Sequence, residues 1–268
     1  MINLLRMDLY RLRKSKSVYI CLAVLFGLTI LSLWLTFLVA TPEGQQTSLK
    51  LGMTALSEVN NTDEVLDGAN SLIIFRENCM DGGLYSVIFG IVVALLICGD
   101  FNHGFAKNIM SCHRHRWKYI GSKLMAVGIV NLIYIALCLL LSTLMNFLLH
   151  NMVPYAVWTD TLFYLAWAWL LNMALAAIII LICVFTRSTA VGVLMAVLIG
   201  GGLIAAPLYS LSALFHLEGW AKYSIYFNLS YGPSCFSSVG DLKVFAVGLA
   251  LMAVYSLAAA ISLSKKDI

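Results

Sequence analysis

The stretch GDFNHGFAKNIMSCHRHRWKYIGSK, residues 99–123, decides the fold. It is the long polar interruption that also carries dense positive charge: Lys107, Arg114, Arg116, Lys118 and Lys123 stand against one acid, Asp100. Uncharged apolar runs flank it on both sides, each long enough to enter a bilayer. Basic loops between membrane spans stay on the cytoplasmic side. The topology is therefore counted outward from this loop.

The composition agrees with that class. Hydrophobic residues make up 61% of the 268 and charged residues only 11%, a balance that belongs to polytopic helical membrane proteins rather than soluble domains. The formal charge of +4 does not point to nucleic acid, because the basic and acidic residues separate onto opposite sides of the expected membrane. The uncharged run over residues 17–41 is far longer than the apolar region of a secretory signal, so it is expected to be a retained span.

In chain order, residues 1–16 place Ile2, Leu5, Leu9 and Leu12 on one helical face and Arg6, Arg13, Lys14 and Tyr10 on the other. That pattern predicts an interfacial helix, the alternative being a flexible basic tail that only sets orientation. Span one is expected over residues 18–40, ended by Pro42. An acidic outer loop follows over 41–82, with a helix expected near residues 48–58. Span two covers 84–99, the basic loop 100–118, span three 124–149, span four 161–186, span five 190–215 and span six 244–263. Trp167 and Trp169 are expected to anchor span four at the outer interface. In span five Gly200, Gly201, Gly202 and Pro207 predict a kink that serves either packing or a hinge. The aromatic segment 217–240 predicts an outer re-entrant region. Thirteen of the seventeen Lys and Arg fall inside under this scheme, and an even number of spans leaves both termini cytoplasmic.

Catalytic signatures are missing. The chain has no GxxxxGK[ST] phosphate loop, no HExxH and no paired CxxC, so ATP chemistry would belong to another subunit. His103, Cys112, His113 and His115 lack the paired spacing of a structural zinc site and have cationic neighbours, so no metal is expected. No charge falls within the assigned spans, which weakens an ion-coupled carrier. Asn131, Asn146 and Asn172 are expected to bond neighbouring helices. Cys79 and Cys235 both lie on the outer side and are expected to be separate free thiols rather than a pair. Within the basic loop, Phe101, Phe105 and Ile109 recur at helical spacing with Asp100 at the start. This predicts either a short helix over 100–110 that docks into a groove on a soluble partner, or a plain loop.

These features together resemble the ABC-2 type permeases, the membrane subunits of bacterial ABC transporters. The resemblance rests on the opening LLRMDLYRLRKSKSVYI, the run GDFNHGFAKNIMSCHRHRWKYIGSKL, six expected spans and the terminal SKKDI. Asp100, Phe101, Gly104 and Lys107 match the family's inner-loop pattern, whereas Phe105 and Ala106 depart from its usual Gly-Thr pair. The resemblance implies an all-α fold of six spans in the bacterial cell membrane, with residues 1–16 as connecting helix. It further implies a coupling helix holding Asp100, Phe101, Gly104, Phe105, Lys107 and Ile109. Separate ATPase subunits would bind ATP and Mg, and a second permease would complete the path. The implied function is ATP-driven export, with an antimicrobial peptide or another amphipathic molecule as cargo and membrane lipid as surroundings. A non-transporting sensor or scaffold that uses the acidic loop is the alternative.

Overall fold

The computed structural model describes residues 2–50, 68–106, 109, 117–214 and 223–265. Helices dominate them and no strand occurs among them. The helices are α1 (Ile2–Lys14), α2 (Lys16–Ala40), α3 (Pro42–Lys50), α4 (Ser71–Phe75), α5 (Leu84–Asn102) and α6 (Trp117–Leu148). After them come α7 (Trp158–Thr186), α8 (Thr189–Gly200), α9 (Ala205–Leu214), α10 (Ile225–Tyr231) and α11 (Lys243–Lys265). The long helices are apolar on every side, which only a lipid environment tolerates.

Five helical stretches are long and apolar enough to cross a membrane: Lys16–Ala40, Ser71–Asn102, Trp117–Leu148, Trp158–Thr186 and Gly240–Ser264. Six had been expected. The difference is the fifth span, which is divided into α8 and α9 by a turn over residues 201–204. Three adjacent glycines make the interruption cheap, and Gly202 takes a left-handed φ of 73°. A Cβ there would lie 2.3 Å from the Tyr226 ring, so the turn is fitted to its neighbour.

The second span is longer than the expected 84–99. It begins at Ser71, where Asn70 caps the chain by accepting from the backbone N–H groups of Leu72 and Ile73. It then passes through a π-turn (Arg76–Met80) and a 3-10 turn (Asp81–Gly83) before α5. Asn78 Oδ1 in the π-turn accepts from Ser32 and Thr36 of α2. Much of the expected outer loop is thus helix packed on the bundle. The expected helix over 48–58 meets α3 only at its start, and residues 51–67 lie outside the described residues.

The bundle is built around α7. Its apolar core is 72% buried, against 17% for the last spanning stretch, and it touches α5, α6, α8 and α11. Trp167 and Trp169 are not interface anchors. Trp167 is fully buried and donates from Nε1 to the Pro233 carbonyl, while Trp169 donates to the Gly128 carbonyl of α6. Trp158, which begins α7, is the exposed tryptophan at this end. The asparagines do bond across helices. Asn131 accepts from the Tyr85 hydroxyl and donates to the Trp169 carbonyl, and Asn172 accepts from Ser86. Asn146 instead ties the end of α6 to Val153. Cys79 is buried and Cys235 exposed, and both are free thiols.

Small residues set the approach of α5, α7 and α8. A Cβ on Gly192 would lie 2.7 Å from Cys183 Sγ and 3.1 Å from Ala94 Cβ. One on Gly90 would lie 2.8 Å from Ile179 Cδ1 and 3.0 Å from Ala196 Cβ. Close backbone approach of this kind replaces the hydrophobic effect as the source of helix association in lipid. Gly192→Leu should therefore cost about 1–3 kcal/mol through overpacking. Gly27→Leu, whose Cβ meets nothing within 4 Å, should leave thermal unfolding of the purified protein unchanged.

Candidate functional site

At the end of the bundle that carries α1, four charged side chains meet, three of them buried (Asp8, Asp100 and Lys123) and the fourth, Arg11, partly exposed at the rim. Lys123 is the seventh residue of α6, and its side chain is fully buried. Its Nζ lies 2.5 Å from Asp8 Oδ1 of α1 and 2.5 Å from Asp100 Oδ2 of α5. Arg11 Nη1 lies 2.5 Å from the other Asp100 oxygen. The Tyr119 hydroxyl donates to Asp100 Oδ2 at 2.9 Å, and Ser122 donates to Asp8 Oδ2 at 3.2 Å. Two carboxylates face two cations, so the cluster is neutral and every carboxylate oxygen has a donor.

Each member is placed by its helix. Asp8 falls one turn from both Leu4 and Leu12, which are buried, so the face of α1 that turns inward delivers a carboxylate between two leucines. Asp100 sits in the last turn of α5, where the helix dipole disfavours an anion, and Lys123 and Arg11 offset that. The sequence reading had placed Asp100 at the start of a separate helix. It had also found no charge within a span. Both are corrected by the longer helices: α5 runs on to Asn102, and α6 starts seven residues before the expected 124.

The cluster extends into the basic segment through two aromatic rings. Arg11 lies 4.4 Å from the centre of the Phe105 ring, and Arg187, in the turn between α7 and α8, lies 5.9 Å from that of Phe101. Between Phe101 and Phe105 the chain turns at Gly104, whose φ is 69°. Phe101 and Phe105 are half-buried, Ile109 is buried against the core, and Asp100 has no exposure. The expected stripe of Phe101, Phe105 and Ile109 therefore packs at least partly inward. Lys107, Cys112, His113 and His115 lie outside the described residues. A cavity of about 340 Å³ opens beside Arg11, lined also by Ser17, Leu96, Gly99, Asn102 and His103.

Asp8 was not singled out from the sequence, although its position on an apolar stripe was a usable signal. Lys123 had been read as one more loop charge. The other expected functional residues, Gly200, Gly201, Gly202 and Pro207, lie in or just after the break between α8 and α9, away from the cluster. Among the described residues no group of His, Cys, Asp and Glu is arranged to hold a metal.

Such a cluster joins α1, α5 and α6 mechanically, because losing one member strands another's charge. Lys123→Met should destabilise the protein by about 3–5 kcal/mol, the cost of breaking a buried pair. Lys118→Met, on the same helix end but half-exposed, should change stability by less than about 0.5 kcal/mol. Thermal unfolding of the two purified variants measures the contrast.

The sequence pattern of the ABC-2 family transporter proteins matches residues 4–201, a range that takes in the ionic cluster, the aromatic-lined turn and all of α8. No curated protein matches the chain. The chain belongs to the ABC-2 family of transporter proteins and is a membrane-embedded permease of that family.

Proposed function

We propose that this permease is one subunit of an ATP-driven exporter whose energy comes from separate ATPase subunits that bind ATP and Mg. A second permease, identical or related, completes the pathway between the two. In this reading the basic end, with α1 and the turn at Gly104, faces the cytoplasm of a bacterial cell. Phe101, Gly104, Phe105, Lys107 and Ile109 form the segment through which the ATPase acts, and Asp100 holds that segment to the bundle.

The supporting observation is the cluster of buried Asp8, Asp100 and Lys123 with partly exposed Arg11. A soluble engine that pushes on one short segment needs that segment welded to the spans; otherwise the motion is lost in local bending. The welded unit here comprises α1, α5 and α6, and through Phe101 and Arg187 it reaches the turn that starts α8. Docking has to differ between nucleotide states for such a push to do work. In this reading the break at residues 201–204 would serve as a hinge between α8 and α9.

An amphipathic cargo, such as an antimicrobial peptide, is the substrate class we favour. Tyr223, Tyr231 and Phe236 are exposed beside α10, an aromatic surface suited to such a molecule at the outer leaflet.

The test begins with affinity purification of the complex from its native membrane. A copurifying ATPase is expected, and its absence would favour the sensor or scaffold reading instead. In the purified complex, Phe101→Ala and Phe105→Ala should each lower stimulated ATP hydrolysis several-fold while membrane insertion stays normal. Cysteine substituted at the exposed Asn102 should react with an impermeant thiol reagent only from the cytoplasmic side.

A further inference from the structure

The cavity beside Arg11 has a lining that changes character along its length. Val92, Leu95, Leu96, Gly99 and Asn102 all face it, at the spacing of a single stripe on α5. From Val92 to Asn102 that stripe covers about 15 Å of helix, running from the polar end of α5 toward the middle of the span. The deep part of the stripe is apolar, and Leu12 of α1 and Val18 of α2 add apolar wall beside it. Toward the helix end the lining turns polar, with Asn102 and His103 next to Arg11. Thr189, at the start of α8, closes the cavity from the other side.

The polar side chains in this lining are uncommitted. Those of Ser15, Ser17, Asn102, His103 and Thr189 have no hydrogen-bond partner among the described residues. Each can donate or accept, so they serve a ligand of either sign. Charge makes the choice. Arg11 lines the cavity and no acid does. Its Nη1 is engaged by Asp100, but a guanidinium carries five N–H donors and the Arg11 side chain is still 31% exposed. Lys16, exposed between two lining serines, brings a second positive charge to the same rim. Asp8 and Asp100, the carboxylates packed nearby, have every oxygen held inside the ionic cluster.

There is space to match the charge. A cavity of about 340 Å³ lies within the roughly 300–1,000 Å³ of small-molecule sites. Gly99 keeps it open midway, because a Cβ built there would meet nothing within 4 Å. A soluble anion would occupy the polar rim and leave the apolar α5 wall against water. An amphiphile with an anionic head covers both parts of the lining. The order of the lining is also the order of a bilayer, polar at the helix end and apolar toward the middle of the span.

We propose that this cavity binds an anionic phospholipid of the leaflet on the α1 side. The headgroup phosphate lies at Arg11 and Lys16, among the uncommitted hydroxyls, and the first part of one acyl chain follows residues 92–99 of α5. Bound in this way, one lipid bridges the α1–α2 corner to α5 and to the start of α8. The site is independent of how the permease is energised, since it requires only a bilayer at this end of the bundle.

The experiment uses the full-length protein in detergent, with thermal unfolding as readout. It is titrated with dihexanoyl phosphatidylglycerol, dihexanoyl phosphatidylcholine, dihexanoyl glycerol or inorganic phosphate. Phosphatidylglycerol should raise the unfolding temperature saturably. Phosphatidylcholine, which has no net charge, should need at least tenfold more, and the diacylglycerol should have no effect. Gly99→Leu fills the cavity from a position with room for the side chain, so it should unfold at the wild-type temperature without lipid and lose the response at least tenfold. Ser17→Phe, at an exposed position on the rim, blocks the cavity independently and should do the same. Lys16→Gln should weaken the response two- to threefold, and Gly27→Leu, away from the cavity, should respond as wild type. Equal responses to phosphatidylglycerol and either uncharged lipid would overturn the proposal, as would wild-type responses in both Gly99→Leu and Ser17→Phe. Inorganic phosphate acting at the same concentration as the lipid would also overturn it, because the site would then be one for a soluble anion.

Discussion

Lys123 can be buried only because two carboxylates reach its ammonium, and two carboxylates can sit together only because Arg11 supplies the second positive charge. The requirement is mutual, and it fixes three helices at once. α1 must lie across the ends of α5 and α6 at the one register that brings Asp8 and Arg11 to Lys123 and Asp100. A shift of α1 by one residue would turn Asp8 away from the cluster by about 100° and strand a charge in the protein interior. Apolar contacts along α1 could tolerate such a slide, since one leucine face resembles another. The ionic cluster therefore contributes position more than net stability, which is what buried ion pairs supply best.

The remaining architecture follows from how a lipid-embedded bundle handles its backbone. Every N–H and C=O at membrane depth needs a partner, so a helix can be interrupted only where protein packs against the break. Both interruptions obey this. The turn over residues 201–204 is covered by Tyr226, whose ring approaches Gly202. The left-handed Gly83, at the start of α5, has room for no Cβ because the Gly200 carbonyl would stand 2.1 Å from it. The two breaks thus touch each other, and glycine at both positions is what allows the contact. Rigid α7 runs beside them without a break.

Much of this was legible in the sequence, because hydropathy and helix length are local properties. The ends of α2 and α7, the start of α8 to within one residue and the weak point at Gly200–Gly202 could all be read directly. What escaped were the polar helix ends at Asn102 and Trp117. Polar residues near a span look like loop, and Lys123, Tyr119 and Asp100 are helical only because partners from other segments satisfy them. Asp8 was hidden for the opposite reason. One acid among five basic residues reads as an exception, although a carboxylate spaced four residues from both Leu4 and Leu12 has to be paired or exposed. Trp167 was misplaced because an aromatic near a span end suits the interface as well as a protein contact, and only the Pro233 carbonyl decides between them.

The two ends of the molecule solve the problem of buried polarity differently, and the contrast carries functional weight. At the α1 end each carboxylate oxygen has a donor, which leaves nothing for a ligand to do inside the cluster. Force can pass through such a joint without its opening. At the other end Arg76 Nε and the Tyr164 and Ser230 hydroxyls are buried without partners among the described residues. A fully paired cluster is closed to chemistry, whereas an under-paired one persists only if something from outside completes it or if the fold bears the cost. In the proposed coupling scheme the closed joint is the one that would carry load, because no member can leave it without stranding a charge.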